Sequence, residues 1–600
     1  MNRLAWTAIA CAVLGCGSSG SRWYDLPDGG ATGTDGDGGV DPGSFKDGGP
    51  TTDPAASCTE AAKQQGYAGC DFVFSPPPLL SETTRPPCFA AFLANNSAAP
   101  AQVSVSYDGT TIANVAKFAR LPNGNPDPTT WAPLPPTGIP GKAVAVLFLS
   151  HDPTSKHIVM GTSLACPVDT AVQEPQGATV PWPNRGKSFH VQIDRPVTAY
   201  DMAPFGGAKS FFPSAELLLP TTAWGKNYVV AIPPLGVPPS SSDSVTESAW
   251  VQIVAKDDGT QVTLQATTDL EAPSMADAVS PSATKTISLN AGEMIQYHQW
   301  RSPSAKADMS GTIISSTKPV GVTGGDMAMK VATKDSAKTA PFKGDPTPRF
   351  CCLDSAHQMI PPISGLGFDY VAAPYTTRRA DLAEESILYR VVGVIDGTTL
   401  TFDPPVAGAP SSIGQGQVVD LEISGPARIK SQDKNHPFLL SQTMSYSTVG
   451  GGTRRDGDPT WPIQPQENGQ RETGDPEWVN VLPPAQFIKE YAFVTDPTYA
   501  VTSLVLTRVK DGGAFHDVTV DCLGTVTGWQ PVGASGTYEM ARVDLVRGGK
   551  GVGACQNGAH TASSQGGFGV TVWGIDWWAS YAYPAGGSAF KINDVVVTPN

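Results

Sequence analysis

The sequence predicts an all-β protein, a tandem array of β-sandwich domains carried behind a signal peptide and a flexible linker. Composition is the first observation behind that prediction. Among 600 residues there are 63 glycines and 55 prolines, about a fifth of the chain, and both residue types break helix interiors. No strict Gly-X-Y period accompanies them, which excludes collagen. Second, 40% of the residues are hydrophobic and only 16% charged, so most of the chain can bury a core rather than stay disordered. Third, β-branched runs recur on either side of Asp-Gly pairs. The length exceeds what one core usually organises, which points to several domains. A net charge of −15 with no basic block argues against nucleic acid as a partner.

The first element is an address. Met1-Asn2-Arg3 is a short cationic start, and Leu4 to Leu14 is an almost continuous apolar run. That run is too short to span a bilayer but suits the core of a signal peptide. It ends in Val13-Leu14-Gly15-Cys16, which resembles the lipobox of bacterial lipoproteins. The resemblance implies a signal peptide over 1–15 and acylation of Cys16, palmitate included. With Gly17 in place of aspartate, it implies anchorage at the outer membrane, exposed at the cell surface. An ordinary secretory signal with an incidental cysteine is the alternative. Residues 16–57 then form a tether: Gly17 to Ser57 hold eleven glycines and seven aspartates against two basic residues, Arg22 and Lys46. Nothing there can build a core, and flexible-chain statistics give a reach on the order of 35 Å. Asp35-Gly36-Asp37 has the look of a calcium loop, but Lys46 stands where an EF-hand needs glutamate.

Beyond Cys11 in the signal and Cys16, eight cysteines are left, an even number that reads as disulfides in an exported chain. Their order suggests Cys58–Cys70 and Cys522–Cys555 as local bridges and Cys88–Cys166 across a longer loop. Cys351 and Cys352 either bridge each other or pair elsewhere. No C-x-x-C is present, so a zinc knuckle is not expected.

The body repeats. Asp-Gly pairs ending at Gly109, Gly259, Gly397 and Gly512 lie between strand-forming runs, such as Val251-Gln252-Ile253-Val254 before Gln261-Val262-Thr263-Leu264. Asp-Gly in that setting signals a hairpin, because glycine accepts the positive φ of a type I′ turn. A second shared element trails each hairpin: Asp194-Arg195-Pro196-Val197, Thr317-Lys318-Pro319-Val320, His436-Pro437-Phe438, and Gly566-Gly567-Phe568-Gly569-Val570 in the last unit. Units two to four also open alike, with Leu219-Pro220 before Asn227-Tyr228, Ile360-Pro361 before Asp369-Tyr370, and Leu482-Pro483 before Glu490-Tyr491. These elements predict four sandwich units over 58–212, 213–340, 350–449 and 475–590, with a polar loop over 450–474.

The segments Leu217-Leu218-Leu219-Pro220-Thr221, Gly225-Lys226-Asn227-Tyr228-Val229-Val230 and Ile313-Ile314 through Val322 carry a resemblance, as does the ending Ser580-Tyr581-Ala582-Tyr583-Pro584. Over about residues 190 to 587 the chain resembles the IgGFc-binding protein N-terminal domain family, named for immunoglobulin-binding, mucin-associated animal proteins. The resemblance implies extracellular adhesion or binding.

Catalytic and metal motifs are scarce. None of the eight histidines forms H-E-x-x-H or an i, i+4 pair; His151 and His157 flank a turn. Gly161-Thr162-Ser163-Leu164-Ala165 lacks the second glycine of a nucleophile elbow. Pro181 replaces the first glycine of a phosphate loop ahead of Gly186-Lys187-Ser188. Asp381, Glu384 and Glu385 read as a solvated acidic stretch. No cofactor, metal or catalytic residue is expected. The aromatics Trp573, Trp577, Trp578, Tyr581 and Tyr583 crowd the last strands and offer a binding patch for a protein or glycan, with core packing as the alternative. The expected function is therefore binding or adhesion by a lipid-anchored surface protein. A surface polysaccharide hydrolase with carboxylates in its loops and a structural spacer are the competing readings.

Overall fold

A computed structural model describes residues 57–600 except 65, 79–82, 84, 158–160, 174–181, 211, 236–247, 301–307, 337–352, 380 and 450–472. Cys16, Cys351, Cys352 and Trp461 lie outside the described residues. Among the described residues one α-helix, Cys58–Gln64, precedes strands throughout. No helix there is long and apolar enough to cross a membrane. The bridges Cys58–Cys70, Cys88–Cys166 and Cys522–Cys555 are formed as expected.

Each unit is organised by one long strand that changes partners half-way. These strands are Phe189–Ala203, Ile313–Met329 and Ala559–Asp576; in the third unit the strand is split into Ala427–Ser431 and Phe438–Thr443. In the second unit the N-terminal half pairs with Gly225–Val229 and Thr260–Gln265, and the C-terminal half with Ser248–Ala255 and Asp354–Met359. The two halves thus serve the two layers of one sandwich. The crossing point is the second shared sequence element. Gly225 pairs with Val320 but Asn227 with Ser315, which leaves Thr317-Lys318-Pro319 as a bulge. The same jump occurs between Val197 and Gln192, and between Phe568 and Ser563. A bulge bends the strand from one layer to the other, and proline fits there because it owes the ladder no amide.

This partner change corrects the hairpin expectation. Gly259, Gly397 and Gly512 do have positive φ, at 64°, 76° and 57°. Yet the strands flanking Asp258-Gly259 pair with opposite halves of Ile313–Met329 and not with each other, so that turn joins two layers. Asp108-Gly109 differs: with φ of 48° and 71° it closes a two-residue hairpin between Val103–Tyr107 and Thr110–Thr111.

Each unit ends in a short inner strand: Ser214–Leu218, Asp354–Met359, Trp478–Asn480 and Ala579–Pro584, each paired with the preceding long strand. The first three sheets therefore run to 218, 359 and 480, past the unit ends expected at 212, 340 and 449. The four inner strands touch in cyclic order, the last returning to the first. Residues 55–600 form one compact body, a closed ring of four sandwiches. Its seam is non-covalent: the Tyr67 amide donates to Gly587 O at 3.0 Å, Gly66 bridges Ser588, and Tyr67 Oη donates to Gln486.

Two devices repeat at the joints. Tyr370 Oη accepts the Gly367 amide at 2.9 Å and donates to Phe438 O at 2.8 Å. Tyr228 does the same with Gly225 and Val320, and Tyr491 with Ile488 and Phe568. Each tyrosine latches the first strand of its unit to the bulge. In the first unit Phe72 holds the matching register. Between units, a proline of the next unit packs where a glycine lacks its Cβ: Pro220 on Gly69, Pro362 on Gly225 and Pro483 on Gly367, where a side chain on the glycine would come within 2.3–2.4 Å of the proline. The second opening motif thus aligns through Pro362, one residue beyond the pair expected from sequence.

The cores are shared across these joints. Val570 and Val572 face a cluster that includes Tyr200 and Phe92 of the first unit, while Trp573 and Ile575 on the opposite face join Tyr375 and Tyr389 of the third. Both faces of the inner layer are therefore covered, and strict polar–apolar alternation disappears from it.

Candidate binding surface

The described residues that follow the long strands and precede the inner strands of the second, third and fourth units meet at one end of the ring. Tyr446 N donates to Val331 O, Gly474 N donates to Asp576 O, and Gly474 bridges Trp577. A buried arginine ties the third unit into this end. Arg378 is paired with Glu385 and donates to Tyr446 O and Thr473 O, both at 3.0 Å. Burial opposes its charge, but the Glu385 carboxylate beside it holds the guanidinium ionised.

Trp577 and Trp578 form the two-residue turn between the paired residues Asp576 and Ala579. Their rings stack at 4.2 Å with planes 24° apart, and both are half-buried. Trp578 has φ 52°, an uncommon conformation for a bulky residue that a tight turn imposes. Asp576 supports the pair: Oδ1 accepts the Trp577 amide at 2.7 Å and Oδ2 the Ala500 amide at 2.8 Å. Burial pushes its carboxyl up to about 6.

The structure separates the five expected binding aromatics. Trp573, Tyr581 and Tyr583 are buried packing residues. Trp573 lies against Tyr375 at 4.7 Å, Tyr581 Oη accepts the Asp496 amide at 3.0 Å, and Tyr583 Oη donates to Val494 O. Trp573 is out of phase with its valine neighbours because it faces the core shared with the third unit. Of the five, Trp577 and Trp578 alone are partly exposed. Trp478, just after the polar loop over 450–474, is also fully buried.

The acidic stretch is engaged by arginines, Asp381 with Arg379, Glu384 with Arg542 and Glu385 with Arg378. His151 Nδ1 accepts the Cys166 amide at 2.8 Å, and Gly186-Lys187 belongs to the edge strand Asn184–Lys187. A groove of about 480 Å³, which the sequence did not signal, runs between the first and fourth units past Asn123, Asp521, Gln556 and His560. There Asp521 and His560 are hydrogen-bonded, and the nearby Cys522 is committed to its disulfide with Cys555, so no thiolate is available to a metal.

The profile of the IgGFc binding protein family matches residues 214–574. The chain belongs to that family. The matched span opens at the inner strand of the first unit and runs through the second, third and most of the fourth. Within this member of the family, the sandwich carrying Cys88–Cys166 lies ahead of the span and the tryptophan turn just beyond it. No curated protein matches the chain.

Proposed function

We propose that this chain is a non-catalytic binding or adhesion protein, displayed at the outer membrane through lipid on Cys16 and a tether over 16–57. Its ligand is a protein or a surface glycan, met at the end of the ring where the inner turns gather. Family membership is the observation that carries the reading, since the family is one of binding proteins. The Trp577–Trp578 stack supports the placement: large, rigid, partly exposed aromatic area suits both ligand classes. The full chain, probed against an array of immobilised glycans and proteins that includes immunoglobulin Fc, should bind at least one probe. A Trp577→Ala/Trp578→Ala double variant should lose at least tenfold in affinity while keeping its circular dichroism. Equal binding by variant and parent overturns the placement, and a blank array overturns the function.

A further inference from the structure

Asp201 and Glu216 stand directly opposite each other in the pair formed by Phe189–Ala203 and Ser214–Leu218. Both are buried. Like charges in that position repel, and a buried carboxylate is sustained only by a counter-charge, a proton or a cation. Among the described residues no lysine or arginine pairs with either acid. The third group comes from the next unit: His357, on Asp354–Met359, places Nε2 2.7 Å from Asp201 Oδ1 and is itself buried. One ligating atom from each of the three lies within 4.8 Å of the others. Asp201 Oδ2 and Glu216 Oε2 have no hydrogen-bond partner.

The fold does not require this arrangement. The matching pairs of the other units include Asp326–Ala356, Ser441–Asn480 and Trp573–Ala582, none of which sets two acids face to face. The surrounding backbone is fixed: the His357 amide donates to Ser214 Oγ at 3.1 Å, and Gln358 Nε2 donates to Ala215 O at 2.8 Å. Burial, and then the Asp201 charge, push the Glu216 carboxyl well above the usual carboxylate range.

We propose that Asp201, Glu216 and His357 hold a divalent cation of the zinc class, clamping the first unit to the second. Two carboxylates with one imidazole is a set such ions accept. Binding requires both acids ionised and His357 neutral, as for any such ligand set. The site is sealed from solvent, so the ion is acquired as the ring folds.

The test uses the untagged full chain, expressed with zinc in the medium and desalted, with transition metals quantified by plasma mass spectrometry. The expected result is one divalent ion per chain in the parent and none in Glu216→Gln, with circular dichroism unchanged. Glutamine keeps the size and a hydrogen-bond donor, so it mimics a protonated Glu216. Refolding the parent with dipicolinate should lower its melting temperature and leave that of Glu216→Gln unmoved. A parent without stoichiometric metal, or a Glu216→Gln variant that keeps it, overturns the proposal and leaves the two acids sharing a proton.

Discussion

Replacing Tyr370 with phenylalanine removes one oxygen and tests whether the tyrosine latch holds a joint. The hydroxyl serves two backbone groups, the Gly367 amide at 2.9 Å and Phe438 O at 2.8 Å. The ring itself, 4.8 Å from Phe438, is unaffected. An unsatisfied buried polar group costs about 1–3 kcal/mol, so losing both partners should destabilise the body by about 2–6 kcal/mol. Water cannot repair the loss, because the space of one hydroxyl is too small to hold it. Urea unfolding followed by tryptophan fluorescence gives the magnitude, and hydrogen exchange gives the place: the Gly367 amide should exchange faster. A change below about 0.5 kcal/mol, with Gly367 protection intact, would refute the latch and leave Tyr370 as packing alone.

Gly225→Ala should cost about 1–3 kcal/mol by overpacking, because its new Cβ would sit 2.4 Å from Pro362 Cβ. With cores shared between units, calorimetry should show that loss as one lowered transition. Gly397→Val meets no neighbour but forces a β-branched residue to a φ of 76°, which should cost about 1–3 kcal/mol in the same assay. Asp576 makes stability fall with rising pH. Its folded value of about 6 lies above the unfolded value of about 3.9, so folding takes up a proton and the benefit is lost between those two values. Unfolding free energies from urea titrations at pH 4.5 and 7 should differ by about 2 kcal/mol more in the parent than in Asp576→Asn; identical pH dependence would remove the buried acid from the account.

Much of this architecture is readable in the sequence because it is written locally. Three disulfides follow from cysteine order, and positive φ at Gly259, Gly397 and Gly512 follows from Asp-Gly between strand-forming runs. The proline-bearing elements mark the bulges, although their sequence does not say that a strand changes layer there. Partner choice is the part that hides. Alternation tells which way a side chain points, not which strand lies beside it, so Asp258-Gly259 reads as a hairpin when it joins two layers. Trp573 reads as a surface residue for the same reason: its covering partner, Tyr375, is far away in the chain. Ring closure rests on pairs such as Tyr67 with Gln486, 419 residues apart, and the Asp201–Glu216–His357 cluster likewise assembles only once two units meet.

The seam between Gly66 and Ser588 sets how many units this body can have. An open stack of repeats needs capping units, and it can grow or shrink by one because each repeat meets only its neighbours. A closed cycle has no terminal unit to cap. Deleting any one sandwich would bare two interfaces at once, because each inner strand touches the one before it and the one after it. The count of four is thus held by closure, and a change of one unit is a change to every joint of the cycle rather than to its end.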